Sequence, residues 1–127
     1  MPTSEQVHAA VNAYGSAYAA RSREAFLALF SADAVQVDPY PAPANVGHEA
    51  IGAFFDNAMN MGPDLALNVE RTIMCGDSAA VDFSVRVTSG GMFVGFSGVD
   101  VFTINDDGLI TNIVAYWDPS TVGPVQN

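Results

Sequence analysis

Asp100 lies in the middle of an otherwise apolar run, Phe93 to Ile104 (FVGFSGVDVFTI), that has the composition of a long strand. Side chains alternate along a strand, so Val94, Phe96, Gly98, Asp100, Phe102 and Ile104 share one face, and Asp100 is the only ionisable group on it. Turned inward, its carboxyl would be driven towards the neutral form by burial, and neutrality at pH 7 means disfavouring the charged form by about 4 kcal/mol. A neutral Asp donates a hydrogen bond, which would serve chemistry that needs a second donor and a base. On this strand alone a simpler account serves: the carboxylate is satisfied by a backbone amide or faces water, since Phe93, Val99 and Val101 make the other face apolar too.

Two further residues have the types such chemistry needs. Tyr14 is on the apolar side of a predicted helix, where a buried hydroxyl usually finds a partner. Taken singly it reads as a core tyrosine. Asp38 precedes Pro39 at the end of a predicted strand, where pairing stops and a carboxylate can project into a cavity mouth. Taken singly, Asp-Pro reads as a turn.

The elements that must position these residues follow from periodicity. Thr3 to Gln6 has the spacing of a capping box, and Val7, Val11, Tyr14 and Tyr18 then recur at helical intervals, predicting a first helix to about Ala20. Ser22 can cap a second, short helix that buries Phe26, Leu29 and Phe30. Ala34 to Asp38 reads as a strand stopped by Pro39, residues 39 to 46 as a loop, and about His48 to Asn60 as a third helix with Ile51, Phe54, Phe55, Ala58 and Met59 on its apolar stripe. From Leu65 the period becomes two, with strands expected over about 65 to 75, 79 to 88, 93 to 104 and 109 to 117, and turns at Ser89–Gly91 and Asn105–Gly108. Helices first and antiparallel strands after them predict an α+β domain spanning 1 to 127: three helices in the N-terminal half on one face of a curved, mostly antiparallel sheet.

Composition narrows the partners. The 127 residues include 14 acids against four arginines (Arg21, Arg23, Arg71, Arg86) and no lysine, a formal net charge of -10, so nucleic acid and anionic membrane surfaces are poor partners. Residues 1 to 20 show neither a basic start nor an apolar run, and no stretch approaches a membrane span, so no signal peptide is expected and a cytoplasmic location is. The lone cysteine, Cys75, is expected to be a small buried apolar residue. His8 and His48 fall in first helical turns, expected to be solvated, and make no metal spacing with Cys75. Gly95 to Val99 lacks the second glycine of a nucleophile elbow, and Asn105 to Gly108 does not fit a calcium loop. Met59, Met61, Met74 and Met92 could line an adaptable pocket, though core filling is their commoner use.

Ala-Tyr14 in the first helix, Val-Asp38-Pro39 after the first strand and Gly-Val-Asp100-Val-Phe in a late strand together resemble the bacterial ketosteroid isomerases (steroid Δ-isomerases). Gly47 to Ile51 and Ala115 to Trp117 resemble the wider cone superfamily that includes SnoaL-type cyclases and limonene epoxide hydrolase. The resemblance implies a cone with an apolar pocket, a homodimer and a small hydrophobic steroid as substrate, with no cofactor or metal. It implies that Asp38 is the general base and that Tyr14 and neutral Asp100 are the two donors of an oxyanion hole. Ketosteroid isomerases pair a base of modest pKa with a protonated aspartate donor. Phe54, Phe55, Phe83, Phe102 and Trp117 are then expected on the pocket wall. Some relatives surround the tyrosine with further tyrosines, and Phe30 and Phe55 occupy those positions here, so an extended hydroxyl network is expected to be missing.

Two other readings stay open. Another enzyme of the same cone fold, a cyclase or an epoxide hydrolase, would share the architecture; the hydrolase needs an Asp-Arg-Asp set, and Arg86 with Asp82 reads as an exposed or interfacial pair. A cone that binds a hydrophobic ligand without turnover would keep the pocket but have no use for the three polar residues together.

Overall fold

The structure is a computed structural model that describes residues 1–125. Helix α1 (Ser4–Ala20) opens with the expected capping box: Thr3 Oγ1 accepts from Gln6 N, and Gln6 Oε1 accepts from Thr3 N. Ser22 caps α2 (Arg23–Leu27) by accepting from Ala25 N. Arg21, in the left-handed region at φ 54°, ends α1. Its guanidinium donates to Met59 O and Gly62 O, 2.9 Å each, and so ties the C-terminal end of α1 to that of α3 (Gly47–Met59).

Seven strands form one sheet among the described residues: β1 (Phe30–Val37), β2 (Asn45–Val46), β3 (Ala66–Cys75), β4 (Ser78–Ser89), β5 (Met92–Ile104), β6 (Ile110–Trp117) and β7 (Gly123–Pro124). Their order is β2-β1-β6-β5-β4-β3, with β7 on β5; β1 and β6 are parallel and every other pair is antiparallel. This is the expected α+β architecture, three helices on a curved, mostly antiparallel sheet. The core lies between them, where Tyr14, Tyr18, Phe26, Phe30, Phe55 and Phe102 pack as a continuous group of rings. No helix is long and apolar enough to cross a membrane.

At two positions of β5 a neighbouring strand's backbone comes close enough to require glycine. A Cβ on Gly98 would strike the Tyr116 carbonyl and come within 2.7 Å of Trp117 Cα, and one on Gly95 would strike the Val85 carbonyl. Glycine is used here because another backbone comes too close for anything larger.

Three departures from the expected elements have local causes. β1 starts at Phe30, four residues early, because a register shift between Phe30 and Val35 leaves Ala32 and Asp33 exposed and hides the alternation. Asn45 and Val46, read as loop, pair with Gln36 and Val35; two residues are too few to show a period. In β3 a register shift between Val69 and Arg71 reverses the faces, so that Arg71, Ile73 and Cys75 point outward. Cys75 is therefore exposed instead of buried.

Candidate active site

Asp100 sits on β5 between Val81 of β4 and Ala115 of β6, so its backbone is paired on both sides and its side chain faces inward. It is 2% exposed, and its carboxyl has no hydrogen-bond partner among the described residues. Neither the backbone-amide nor the solvent account of this residue holds. Burial, and after it the charge of Asp38, pushes its pKa well above the usual carboxylate range.

Asp38 follows the last paired residue of β1, Val37, which is opposite Val114 of β6. Pro39 has no N–H to give, and the next tie is Tyr40 N to Ala115 O at 2.8 Å. The backbone at Asp38 is thus held on both sides while the residue itself lies outside the ladder. Partial burial pushes its pKa up to about 7, so it titrates where a general base is useful.

Tyr14 is 1% exposed on the inner face of α1, its ring edge-on to Phe102 with centroids 5.2 Å apart. Its hydroxyl lies 3.0 Å from that of Tyr18, one helical turn on. Burial is the main cause that raises the pKa of both phenols; for Tyr14 the nearby Tyr18, Asp100 and Asp38 add to it. A hydroxyl partner for Tyr14 comes from its own helix and not from positions 30 and 55. Phe30 and Phe55 carry none, but Tyr18 does, and its i, i+4 spacing from Tyr14 is visible in the sequence.

These four polar side chains share one cavity with apolar walls, a volume of about 80 Å³ bounded also by Phe54, Leu67, Phe83 and Phe96. A second chamber of about 460 Å³ adjoins it and shares Asp38, Phe54, Ala58, Met61, Val85 and Phe96. Pro39, Asn57, Trp117 and Val122 line only this outer part. Tyr14 and Asp100 thus mark the inner end of a two-part cleft, and Asp38 its waist. The outer chamber has the size of a small-molecule site, roughly 300–1,000 Å³.

Of the expected wall residues, Phe54 and Phe83 face the inner chamber and Trp117 the outer one. Phe55 and Phe102 do not line either; both are 1% exposed in the core, Phe55 against Tyr18 and Phe26 and Phe102 behind Tyr14. Met61 lines both chambers, whereas Met59 and Met74 pack on the core and Met92 is exposed. His48 is not free in solvent: its Nε2 is 2.9 Å from Phe30 O. Arg86 lies over the Phe93 ring, 4.8 Å from its centroid, and Asp82 pairs instead with Arg71 at 2.9 Å. No arginine lines either chamber among the described residues.

A group that titrates near neutrality beside two buried hydroxyls and a carboxyl that burial pushes towards its neutral form can take a proton from a carbon acid and hold the resulting enolate. Residues 11–113 match the SnoaL-like domain family. The steroid Delta-isomerase of Nocardioides simplex is 33% identical over 116 residues, covering 91% of this chain and 93% of the relative. Among solved structures, RV0760c from Mycobacterium tuberculosis is similar with a TM-score of 0.85 at 28% identity, over 98% of this chain and 100% of that one; it has also been solved in complex with estradiol-17beta-hemisuccinate. The epoxide hydrolase/cyclase-like enzyme SalBIII shares the fold, with a TM-score of 0.87 at 21% identity over 98% of this chain and 100% of that one.

Proposed function

The chain belongs to the SnoaL-like domain family, and on that premise we propose that it is a steroid Δ-isomerase, converting Δ5-3-ketosteroids to Δ4-3-ketosteroids. The observation that carries the reading is the placement of Tyr14, Asp38 and Asp100 on one apolar cavity, the two donors at its inner end and the base at its waist.

In a 3-ketosteroid with a 5,6 double bond, the carbon-4 hydrogens lie between the carbonyl and the alkene and are acidic. Ionised Asp38 takes one, and the charge moves to the carbonyl oxygen as a dienolate. Tyr14 and neutral Asp100 donate to that oxygen, and Asp38 returns the proton to carbon 6. The low dielectric of the cavity keeps Asp100 neutral and strengthens both donated bonds. Phe54, Phe83 and Trp117 offer flat apolar surface to the fused rings.

The deciding assay is the rise in ultraviolet absorbance on mixing the protein with 5-androstene-3,17-dione, because only the conjugated product absorbs strongly. Catalytic turnover supports the isomerase; a folded protein without turnover overturns it for this substrate. The alternative of an epoxide hydrolase is disfavoured by the absence of an arginine from both chambers among the described residues.

The pH dependence has a defined sign. Free Asp38 must be ionised to act, so kcat/KM should rise about tenfold per pH unit on the acid side and level off above about pH 7. It falls again only where Asp100 or Tyr14 ionises and ceases to donate. A rate that is flat between about pH 5 and 8 would remove Asp38 from the role of base.

We also propose a homodimer formed through the outer sheet face. Val101 and Tyr116 are exposed there, and Tyr116 packs at a tilt against exposed Tyr40 with centroids 5.3 Å apart. Analytical ultracentrifugation should give twice the chain mass, and Tyr116→Asp should shift the distribution to monomer.

A further inference from the structure

We propose that Tyr18 is a positioning residue for the reaction: its hydroxyl donates to that of Tyr14, so that the one phenolic proton of Tyr14 is aimed at the substrate oxygen. The inference rests on the isomerase reading of the cavity and assigns a role that the residue trio does not contain.

Proton counting supports it. The two hydroxyls are 3.0 Å apart and, among the described residues, have only each other as hydrogen-bond partner. Each oxygen carries one hydrogen, so one hydrogen lies between them and the other is free to point into the chamber that both residues line. If Tyr14 donated to Tyr18, Tyr14 would offer the substrate a lone pair in place of a donor. The reverse arrangement, Tyr18 to Tyr14 to substrate oxygen, aligns both O–H dipoles towards the oxygen.

Charge selects between the two. The second arrangement is favoured more as negative charge accumulates on the oxygen, and chained hydrogen bonds polarise one another. Its benefit is therefore larger for the dienolate than for the ketone, which places the effect on kcat and not on KM. Packing holds the donor in place: the Tyr18 ring is edge-on to Phe26 at 5.4 Å and tilted against Phe55 at 5.6 Å, and it is 4% exposed. Phe55 thus acts as the backing of a hydroxyl that α1 itself supplies.

The test is Tyr18→Phe, which keeps the ring and removes only the hydroxyl. With 5-androstene-3,17-dione, kcat should fall about 3- to 10-fold, the effect of one net hydrogen bond, while KM stays within about twofold. In the Tyr14→Phe background the same substitution should cost little more, because Tyr18 acts through Tyr14. An unchanged kcat, or the full loss repeated on the Tyr14→Phe background, overturns the proposal. A readout without turnover keeps this separate from the isomerase reading: bound 4-nitrophenol, followed by its visible absorbance, should be less ionised at fixed pH in Tyr18→Phe than in the wild-type protein. Equal ionisation in the two proteins rejects the role of Tyr18 whether or not the steroid is turned over.

Discussion

Asp38→Asn should lower the isomerase rate by about 10²- to 10⁴-fold, the range ascribed to a positioned general base, and at the same time make the protein more stable at pH 8. The second effect follows from linkage. The folded-state pKa of Asp38 is about 7 against 3.8 for the ordinary group, so between about pH 4 and 7 the native state keeps a proton that the unfolded chain has released. Stability is therefore lost as pH rises through that window, to a total of up to about 4 kcal/mol at 1.36 per unit. Asparagine is nearly isosteric and never ionises, so the variant avoids that loss. Urea unfolding should show Asp38→Asn more stable than wild type at pH 8 and equal to it at pH 4. A variant that kept the wild-type rate would end the assignment of Asp38 as base, and one equally stable at both pH values would mean that the carboxylate is hydrated.

Tyr14→Phe should lower kcat by about 10²- to 10³-fold, the loss seen on removing one oxyanion donor in acyl-transfer enzymes. The ring contacts with Phe26, Phe30 and Phe102 are kept but the Tyr18 hydroxyl loses its partner, so stability should fall by about 1 to 3 kcal/mol, the cost of one unpaired buried hydroxyl. Asp100 offers the contrast. Asp100→Ala removes a donor and should cost a similar factor, whereas Asp100→Asn keeps an N–H donor that is neutral at every pH and should cost about tenfold. Equal losses in Asn and Ala would show that Asp100 does not act by donating a hydrogen bond. Steady-state kinetics on the three variants decides it.

How far the molecule was legible in its sequence depends on the kind of signal. Local chemistry was: the Thr3 and Gln6 box, the Ser22 cap, the period-two strands and the grouping of Asp100, Phe102 and Ile104 on one face all appear as read, though alternation alone did not say that this face points inward. Depth was not. Periodicity says which face a residue shares but not how far along the cone it lies, which is why Phe55 and Phe102 back the cavity while Phe54 and Phe83 line it. Register shifts were not legible either, since one added residue in β3 reverses the face of Cys75 without changing the composition of the run. The waist at Asp38 needed the parallel pairing of β1 with β6, a contact between segments far apart in the chain. Tyr18 was in view as a helix-face residue, but its hydroxyl partner is a matter of angstroms.

The position of Asp38 where the inner and outer chambers meet has a stereochemical consequence. A flat ring system with its oxo end between Tyr14 and Asp100 and its body in the outer chamber presents only one of its two faces to this carboxylate. With Asp38 as the base, departure from carbon 4 and arrival at carbon 6 take place on that same face. The reaction is then suprafacial, and the transferred hydrogen takes only one of the two diastereotopic positions on the carbon-6 methylene.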